Sequence, residues 1–309
     1  MTLPAWAGSS NDAMQWLQRV VTSAQKLTYS GVFMYRSGSQ SETSRITHLV
    51  DRGNELERLE ALDGSPREVI RRNDEIKCYL SESHQVIIER AGGRRAFPAL
   101  LPASLGGLND HYVIRKGEAG RVAGFDSQAI VIEPKDDLRY GHRYWVDAQS
   151  GMLLKATMVD ERGNPLETFT FTELHIGGPV DRSDLAPRLA VNGGDWKVRN
   201  VRATEARGDA SQWVVGSDLP GFHRISVMKR QAGPDAPEGM HMVYSDGLAA
   251  VSVFIEPLAA AKDKPEAGET AMGAINVYRR VVDNYQLVIM GDVPPSTLKR
   301  LGDSIERRH

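Results

Sequence analysis

One stretch in the middle of the chain, RYGHRYWVDAQSGMLLKATMVDERGNPLETFTFTELH, constrains its fold most strongly. It contains three β-rich runs, Arg143–Val146, Met152–Val159 and Glu167–Leu174, separated by two clusters of turn residues. Gly151 in the first cluster and Gly163 in the second tolerate the positive φ that hairpin turns need. The pattern therefore predicts a three-stranded antiparallel meander.

The same strand signal recurs on both sides of the meander. Runs of β-branched and aromatic residues alternate with turn clusters such as Asp63-Gly64-Ser65-Pro66. The predicted strands are Tyr29–Arg36, Thr43–Val50, Leu56–Leu62, Arg67–Arg72, Glu75–Leu80, Gln85–Arg90, His111–Lys116 and Ser127–Glu133 before the meander, and Trp196–Arg202, Phe222–Arg230, Met240–Tyr244, Ala249–Glu256, Met272–Val277 and Asn284–Met290 after it.

Helical spacing occurs only at the two ends of the chain. N-cap residues from Ser9 to Asp12 precede apolar residues at helical spacing, such as Leu17 and Val21. A second helix is predicted to start near Pro295 and to bury Leu298, Leu301 and Ile305. The fold class expected is α+β and mainly antiparallel β, with one large curved sheet that needs cover on its concave face.

The chain is long enough, at 309 residues, for two domains. Gly177–Asp195 is rich in Gly, Pro and Asp and lies between two β-rich blocks. We therefore expect a large domain at residues 9–178, a linker at 179–195 and a smaller α+β domain at 196–309.

Composition bears on partners and compartment. Lys and Arg number 38 against 40 Asp and Glu, so no basic excess favours nucleic acid. Leu3–Gly8 resembles the end of a secretory signal peptide whose earlier part is missing, which predicts export. Cys78 is the single cysteine, and its alternation with Ile76 and Leu80 predicts a buried side chain rather than a reactive thiol.

Motifs for catalysis, metal binding and phosphate binding are missing from the sequence. The eight histidines are scattered, and no Cys/His spacing typical of a metal site occurs. Neither a nucleophile elbow nor a glycine-rich phosphate loop is present. A triad assembled from distant residues stays open at this point. The sequence predicts binding without a catalytic residue, a metal or a cofactor.

The segment Ala91–Asp110 combines apolar residues with four Gly and two Pro. It is either a loop that plugs the sheet or a mobile apolar lid over a cavity. A lipid chain would suit such a cavity, since each buried methylene contributes about 0.8 kcal/mol. The candidate lipid-pocket or lid residues are Phe97, Leu100, Leu101, Leu105 and Leu108.

Five strings in order across the chain resemble the RseB/MucB family, the periplasmic regulators of the extracytoplasmic stress sigma factor. The strings are Asp63–Ile76, Tyr144–Asp147 with Gly151–Leu154, Leu219–Phe222, Tyr244–Leu248 and Gly291–Pro295. The resemblance extends from about residue 12 to residue 306. It implies a LolA-like half-barrel sheet wrapped around helices in the first domain and an α+β second domain.

The resemblance also implies a function. Family members bind the periplasmic segment of a membrane-spanning anti-sigma factor and shield it from proteolysis, and a lipid or lipopolysaccharide signal relieves the block. Tyr244 and Phe254 are candidate partner-binding residues, because aromatic side chains are favoured anchors in interfaces; both could equally be core residues. The alternative is a periplasmic lipid or lipoprotein carrier of the LolA type. The sequence leaves the oligomeric state open, a homo-oligomer included.

Overall fold

A computed structural model describes residues 7–90, 101, 105–189, 195–200, 203–205, 212–216, 219–231, 238–258 and 267–308. The chain forms two compact units. The first unit takes in residues up to 105, 113–133 and 141–200, and the second takes in 106–112, 134–140 and 201–309. Two short pieces of the N-terminal half therefore belong to the second unit.

The first unit is built on one sheet of twelve strands, preceded by helix α1 (Ala7–Lys26). The strands are β1 (Tyr29–Ser37), β2 (Gln40–Asp51), β3 (Asn54–Ala61), β4 (Arg67–Arg72), β5 (Glu75–Leu80), β6 (Gln85–Arg90), β7 (Tyr112–Val122), β8 (Phe125–Pro134), β9 (Gly141–Asp147), β10 (Leu153–Val159), β11 (Pro165–Ile176) and β12 (Lys197–Asn200). Their order is β12-β6-β5-β4-β3-β2-β1-β11-β10-β9-β8-β7, and β12 pairs parallel with β6.

Helix α1 buries one apolar face that includes Leu17, as its spacing predicts. Its polar face is tied to the turn between β9 and β10, where Ser23 Oγ donates to the Ser150 carbonyl at 2.6 Å. Gly151 has φ +77°, and a Cβ there would lie 2.9 Å from both Arg19 Cβ and Ser23 Oγ. Glycine is therefore required for the helix to approach this turn.

An aromatic group joins β1 to β11 inside the first unit. The ring centroids of Phe33 and Phe169 lie 4.8 Å apart, and those of Phe169 and Phe171 lie 5.1 Å apart at 87°. All three side chains are buried. The Phe169–Phe171 pair is edge-to-face, and such a pair contributes about 0.5–1.5 kcal/mol beyond burial.

The second unit combines a seven-stranded sheet with one helix. It holds helix α2 (Leu108–His111), β13 (Ala203–Glu205), β14 (Trp213–Val215), β15 (His223–Gln231), β16 (Glu238–Ser245), β17 (Ala250–Pro257), β18 (Gly268–Met272), β19 (Ile275–Val282), β20 (Tyr285–Gly291), helix α3 (Pro295–Asp303) and β21 (Ile305–Arg307). The sheet order is β13-β15-β16-β17-β20-β19-β18, and β14 pairs separately with β21. Leu298 and Leu301 of α3 pack into the core on one face of this sheet.

The predicted fold class is confirmed: strands predominate and pair antiparallel, in one large sheet and one smaller sheet with a helix. The meander predicted around residues 143–174 is confirmed as β9, β10 and β11. Strands β4, β5 and β6 have the predicted bounds. These strands were predictable because polar and apolar residues alternate along them and clear turn residues separate them.

Two predicted elements of the second unit are wrong in detail. The single strand at Met272–Val277 is instead the hairpin of β18 and β19, in which Met272 pairs with Ile275 across Gly273 at φ +63°. A two-residue turn inside an apolar run gives little signal beyond that one glycine. The last helix ends at Asp303, and Ile305 is buried as the first residue of β21 rather than on the helix.

The segment between the two β-rich blocks is anchored to the first unit along part of its length. A short 3-10 helix at Arg182–Leu185 buries Leu185. The backbone N–H groups of Arg188 and Leu189 donate to Glu68 Oε2 at 2.8 and 3.0 Å. The strand predicted at 196–202 is shorter, β12, and lies in the large sheet because it pairs with β6. Among the described residues, no helix is long and apolar enough to span a membrane.

Candidate functional site

A buried charge cluster holds the two inserted segments, 106–112 and 134–140, within the second unit. The side chains of Arg139 and Asp246 are fully buried, and Arg139 Nη1 donates to Asp246 Oδ2 at 2.6 Å. Arg139 Nε donates to Asp136 Oδ1 at 2.9 Å, and Nη2 donates to the Pro220 carbonyl at 2.5 Å. Every arm of the guanidinium is therefore occupied.

The same cluster shapes the turn between β16 and β17. Asp246 Oδ1 accepts hydrogen bonds from the N–H groups of Leu248 and Ala249 at 2.9 and 2.8 Å. Asp246 Oδ2 also accepts from the Tyr112 hydroxyl at 2.8 Å. A buried ion pair with all of its hydrogen bonds made resists rearrangement, because removing one partner leaves an uncompensated charge. The cluster therefore fixes this end of the sheet.

Phe254 lies on the face of the seven-stranded sheet opposite to α3. Its ring stacks on that of His241 with centroids 4.2 Å apart and an angle of 6°. Met228 pairs with His241, and Val288 pairs with Phe254, on the flanking strands. We call these four side chains, Met228, His241, Phe254 and Val288, the Phe254 face. Apart from His241, which is buried, they are half-buried.

Tyr244 does not share a surface with Phe254. It pairs with Val251, and both side chains belong to the core cluster that α3 covers. Burial raises the pKa of the Tyr244 hydroxyl, while Arg224 lowers it. The structure therefore places the two candidate partner-binding residues on opposite faces of one sheet, with Tyr244 in the core.

The candidate lid residues fall into three groups. Leu101 and Leu105 are buried in the first unit, at 2% and 6% exposure. Leu108 is buried at 1% exposure and belongs to α2 of the second unit. Phe97 and Leu100 lie outside the described residues.

A row of polar side chains that no sequence motif predicts crosses one face of the large sheet. His48 on β2 pairs with Tyr29 on β1 and with Glu57 on β3, and Glu57 pairs with Arg71 on β4. We call Tyr29, His48, Glu57 and Arg71 the polar row. All four side chains are buried. Scattered single residues gave no sequence motif, and only the strand register brings them together.

Burial dominates the electrostatics of the polar row. It raises the pKa of the Glu57 carboxyl to about 7, although Arg71 and His48 pull that pKa down. Burial and the nearby Glu57 and Glu55 carboxylates raise the pKa of Tyr29. Ligand atoms of His48, Glu55 and Glu57 lie within 4.8 Å of one another, so these three residues could hold a metal ion.

Two sheet-based units, one with a buried polar row and one with an aromatic sheet face opposite its helix, describe a two-domain β-sheet binding protein. The family description "MucB/RseB N-terminal domain" matches residues 12–189, and "MucB/RseB C-terminal domain" matches residues 207–306. The chain belongs to the MucB/RseB family, as its five strings predicted.

Curated relatives agree over nearly the whole chain. The sigma factor AlgU regulatory protein MucB of Pseudomonas aeruginosa is 30% identical over 313 residues, which covers 99% of this chain and 93% of the relative. The sigma-E factor regulatory protein RseB of Haemophilus influenzae is 24% identical over 303 residues, covering 96% and 91%. These relatives are regulatory proteins.

Solved structures extend the similarity to the fold. The crystal structure of MucB in complex with MucA(peri) matches with a TM-score of 0.73 and 27% identity, covering 96% of this chain and 100% of that chain. The crystal structure of MucB by itself matches with a TM-score of 0.68 and 27% identity, covering 97% and 99%. Both matches include both units.

Proposed function

We propose that this protein is a periplasmic regulatory binding protein for the periplasmic segment of a membrane-spanning anti-sigma factor. It shields that segment from regulated proteolysis and thereby restrains the envelope-stress sigma factor. It acts by occupying its partner and not by catalysing a reaction. A lipid or lipopolysaccharide signal relieves the restraint.

The similarity to MucB bound to MucA(peri) carries this proposal. The alignment covers 96% of this chain and 100% of the MucB chain, at 27% identity. A match confined to the large sheet would support only a shared fold, because one fold serves many functions. A match across both units supports transfer of the partner class as well, and it disfavours a single-domain lipid carrier.

The Phe254 face is the partner surface that we propose on the second unit. Phe254 stands in the middle of the sheet, half-buried, with its ring held by the stack on His241. Aromatic residues held in place by their neighbours are typical binding hot spots, since little side-chain entropy is lost on binding. Tyr244 contributes indirectly, because it packs the opposite face of the same sheet against the core.

Protease protection of the partner tests this proposal. Purified full-length protein should protect the periplasmic segment of the anti-sigma factor from the first protease of its cascade. Phe254→Ala should raise the concentration needed for half-protection more than tenfold, since a hot-spot truncation costs about 2 kcal/mol or more. The measurement is the cleavage rate of the segment at increasing protein concentration.

Met272→Ala is the matched control, because Met272 is an apolar side chain of the same unit that is 64% exposed. It should leave protection unchanged. Equal protection by wild type and Phe254→Ala, with equal thermal unfolding midpoints, would remove the Phe254 face from the proposal. Absence of any protection by wild type, together with capture of assorted lipoproteins from envelope extract, would favour the carrier function instead.

The lipid signal is proposed to act through the leucines of the first unit. Leu101 is 2% exposed. If it leaves its site to admit an acyl chain, Leu101→Asp should weaken binding of a fatty-acyl probe more than it lowers the melting temperature. If it is a permanent part of the core, the buried carboxylate should lower stability by about 3 kcal/mol or more. Both quantities are measured on the same variant.

A further inference from the structure

In the polar row, a neutral His48 would place one hydrogen-bond acceptor against another. His48 Nδ1 lies 2.8 Å from the carbonyl oxygen of Leu27, at the end of α1. A carbonyl oxygen can only accept, so the Nδ1 proton is present and is donated to Leu27. In the neutral ring, the other nitrogen, Nε2, then carries a lone pair. That lone pair faces Glu55 Oε1 at 3.3 Å.

A cation between Nε2 and the Glu55 carboxylate would remove the repulsion between these two acceptors. Either a second proton converts His48 to imidazolium, or a metal ion binds Nε2 and the carboxylate together. The His48 side chain is 1% exposed, so water has little access to its Nε2, whereas the Glu55 side chain is 38% exposed. The position and charge of Glu57 help to distinguish a proton from a metal ion at this site.

Glu57 supplies a buried carboxylate beside the same histidine. It pairs directly with His48 across the strands and is 3% exposed. Its Oε2 has no protein hydrogen-bond partner, and neither does the hydroxyl of Tyr29, which is fully buried against the ring of His48 at 4.9 Å between centroids. Buried acceptors without partners are costly, and a bound cation satisfies them.

The charges of this site leave room for a dication. Glu55 and Glu57 carry two negative charges when ionised, whereas Arg71 carries one positive charge and lies 3.7 Å from Glu55 Oε1 through Nη1. A proton on Glu57 would neutralise the remaining charge but would leave the lone pair of His48 facing Glu55. A dication contacts the nitrogen and both carboxylates at once.

We propose that His48 Nε2, Glu55 and Glu57 form a binding site for a divalent metal ion of the zinc class. The three ligand atoms lie within 4.8 Å of one another, and zinc binds imidazole nitrogen and carboxylate oxygen at about 2.0–2.2 Å. An imidazole nitrogen with carboxylates selects zinc-like ions over calcium and magnesium, which prefer oxygen ligands. The Leu27 carbonyl orients the imidazole as outer groups do around metal-bound histidines.

Binding at this site would tie three parts of the first unit together. His48 comes from β2, both glutamates come from β3, and Leu27 follows the end of α1. The ion would therefore stabilise the junction between the helix and the large sheet. It would act structurally, because His48 and Glu57 are buried and the imidazole is held by the Leu27 carbonyl.

Metal titration of the full-length protein tests the proposal. Chelator-treated protein at pH 7.5 is titrated with zinc chloride, and the bound stoichiometry and the thermal unfolding midpoint are measured. Wild type should bind one ion per chain, and its midpoint should rise by several degrees at saturation, since a ligand that binds only the folded state stabilises it. Magnesium should produce no rise.

Glu57→Gln and His48→Gln should each lower zinc affinity at least tenfold and abolish the rise. Glu55→Gln, at a half-exposed position, gives the same test where loss of folding is least expected. His175→Gln removes an exposed histidine of the same unit and should change nothing. Retention of the rise in the ligand variants, or its loss in His175→Gln, would show an adventitious ion only. No zinc binding by wild type would leave the proton as the cation and overturn the proposal.

Discussion

Glu57 and Arg58 are neighbours on β3, yet their side chains lie in opposite environments. Both are buried, on opposite faces of the same sheet. Arg58 Nη2 donates to Glu68 Oε1 at 2.5 Å, and Glu68 Oε2 accepts from the N–H groups of Arg188 and Leu189. Glu57 Oε2 has no protein hydrogen-bond partner. The Arg58–Glu68 pair is thus hydrogen-bonded, whereas Glu57 has a carboxylate oxygen without a hydrogen-bond partner.

This difference distinguishes buried charges that hold the fold together from a buried charge that is available to bind a ligand. On the Arg58 face, the charges anchor the segment that follows the large sheet, just as Arg139 and Asp246 anchor the inserted segments of the second unit. On the Glu57 face, the charges of Arg71 and His48 offset only part of the cost of burying the carboxylate, and Glu57 Oε2 accepts no hydrogen bond. Buried polar groups that lack partners are typical of sites that bind something.

Removal of Glu68 should have the largest effect. Glu68→Ala leaves Arg58 buried without its main partner and releases two backbone N–H groups, so we expect a loss of about 3–5 kcal/mol in the free energy of unfolding. Urea unfolding measures the loss, and limited proteolysis should show faster cleavage within residues 181–189. Glu42→Gln, in an exposed pair with Arg67, should cost about 0–1 kcal/mol. Equal losses in both variants would contradict the comparison.

The second largest effect should be the change in the free energy of unfolding with pH that the titration of Glu57 causes. Its folded pKa of about 7 lies above the ordinary glutamate pKa of 4.5, so between these values the folded protein retains a proton that the unfolded chain releases. The contribution of Glu57 to stability is therefore complete below pH 4.5 and is lost as the pH rises through 7. The loss should amount to about 2–4 kcal/mol in metal-free protein.

Glu57→Gln should flatten that pH dependence, because the amide does not titrate. Chemical unfolding at several pH values between 4 and 8, with chelator present, measures both proteins. Glu60→Gln on the opposite face of β3 is the control and should retain the fall between pH 4.5 and 7. A fall of equal size in Glu57→Gln would assign the titration to another group.

Tyr29→Phe should have the smallest effect on the free energy of unfolding. The sign of the change shows whether the Tyr29 hydroxyl has a hydrogen-bond partner. The Tyr29 hydroxyl is fully buried without a protein partner, so its removal should raise the free energy of unfolding by about 1 kcal/mol in metal-free protein. Tyr112→Phe is the contrasting variant, since it removes a hydroxyl that donates to Asp246, and it should be destabilising. Thermal unfolding with chelator compares the two; destabilisation by Tyr29→Phe would mean that its hydroxyl is satisfied.

Most of the local structure could be predicted from the amino-acid sequence. Strands such as β4, β5 and β6 were predictable because each alternates in polarity and ends at a turn whose residues tolerate unusual φ, such as Asn73 at φ +54°. Helix α3 was predictable from Pro295 and its apolar spacing. The family was predictable too, because five strings in order identify it.

The contacts between residues distant in the chain could not be predicted in this way. His48 and Glu57 face each other through the register of β2 and β3, and their chain positions carry no motif. Arg139 and Asp246 are 107 residues apart, and no local pattern assigns residues 134–140 to the second unit. Local periodicity reports which face of an element is apolar. It does not report which elements become neighbours, because pairing depends on long-range packing that balances large opposing free energies.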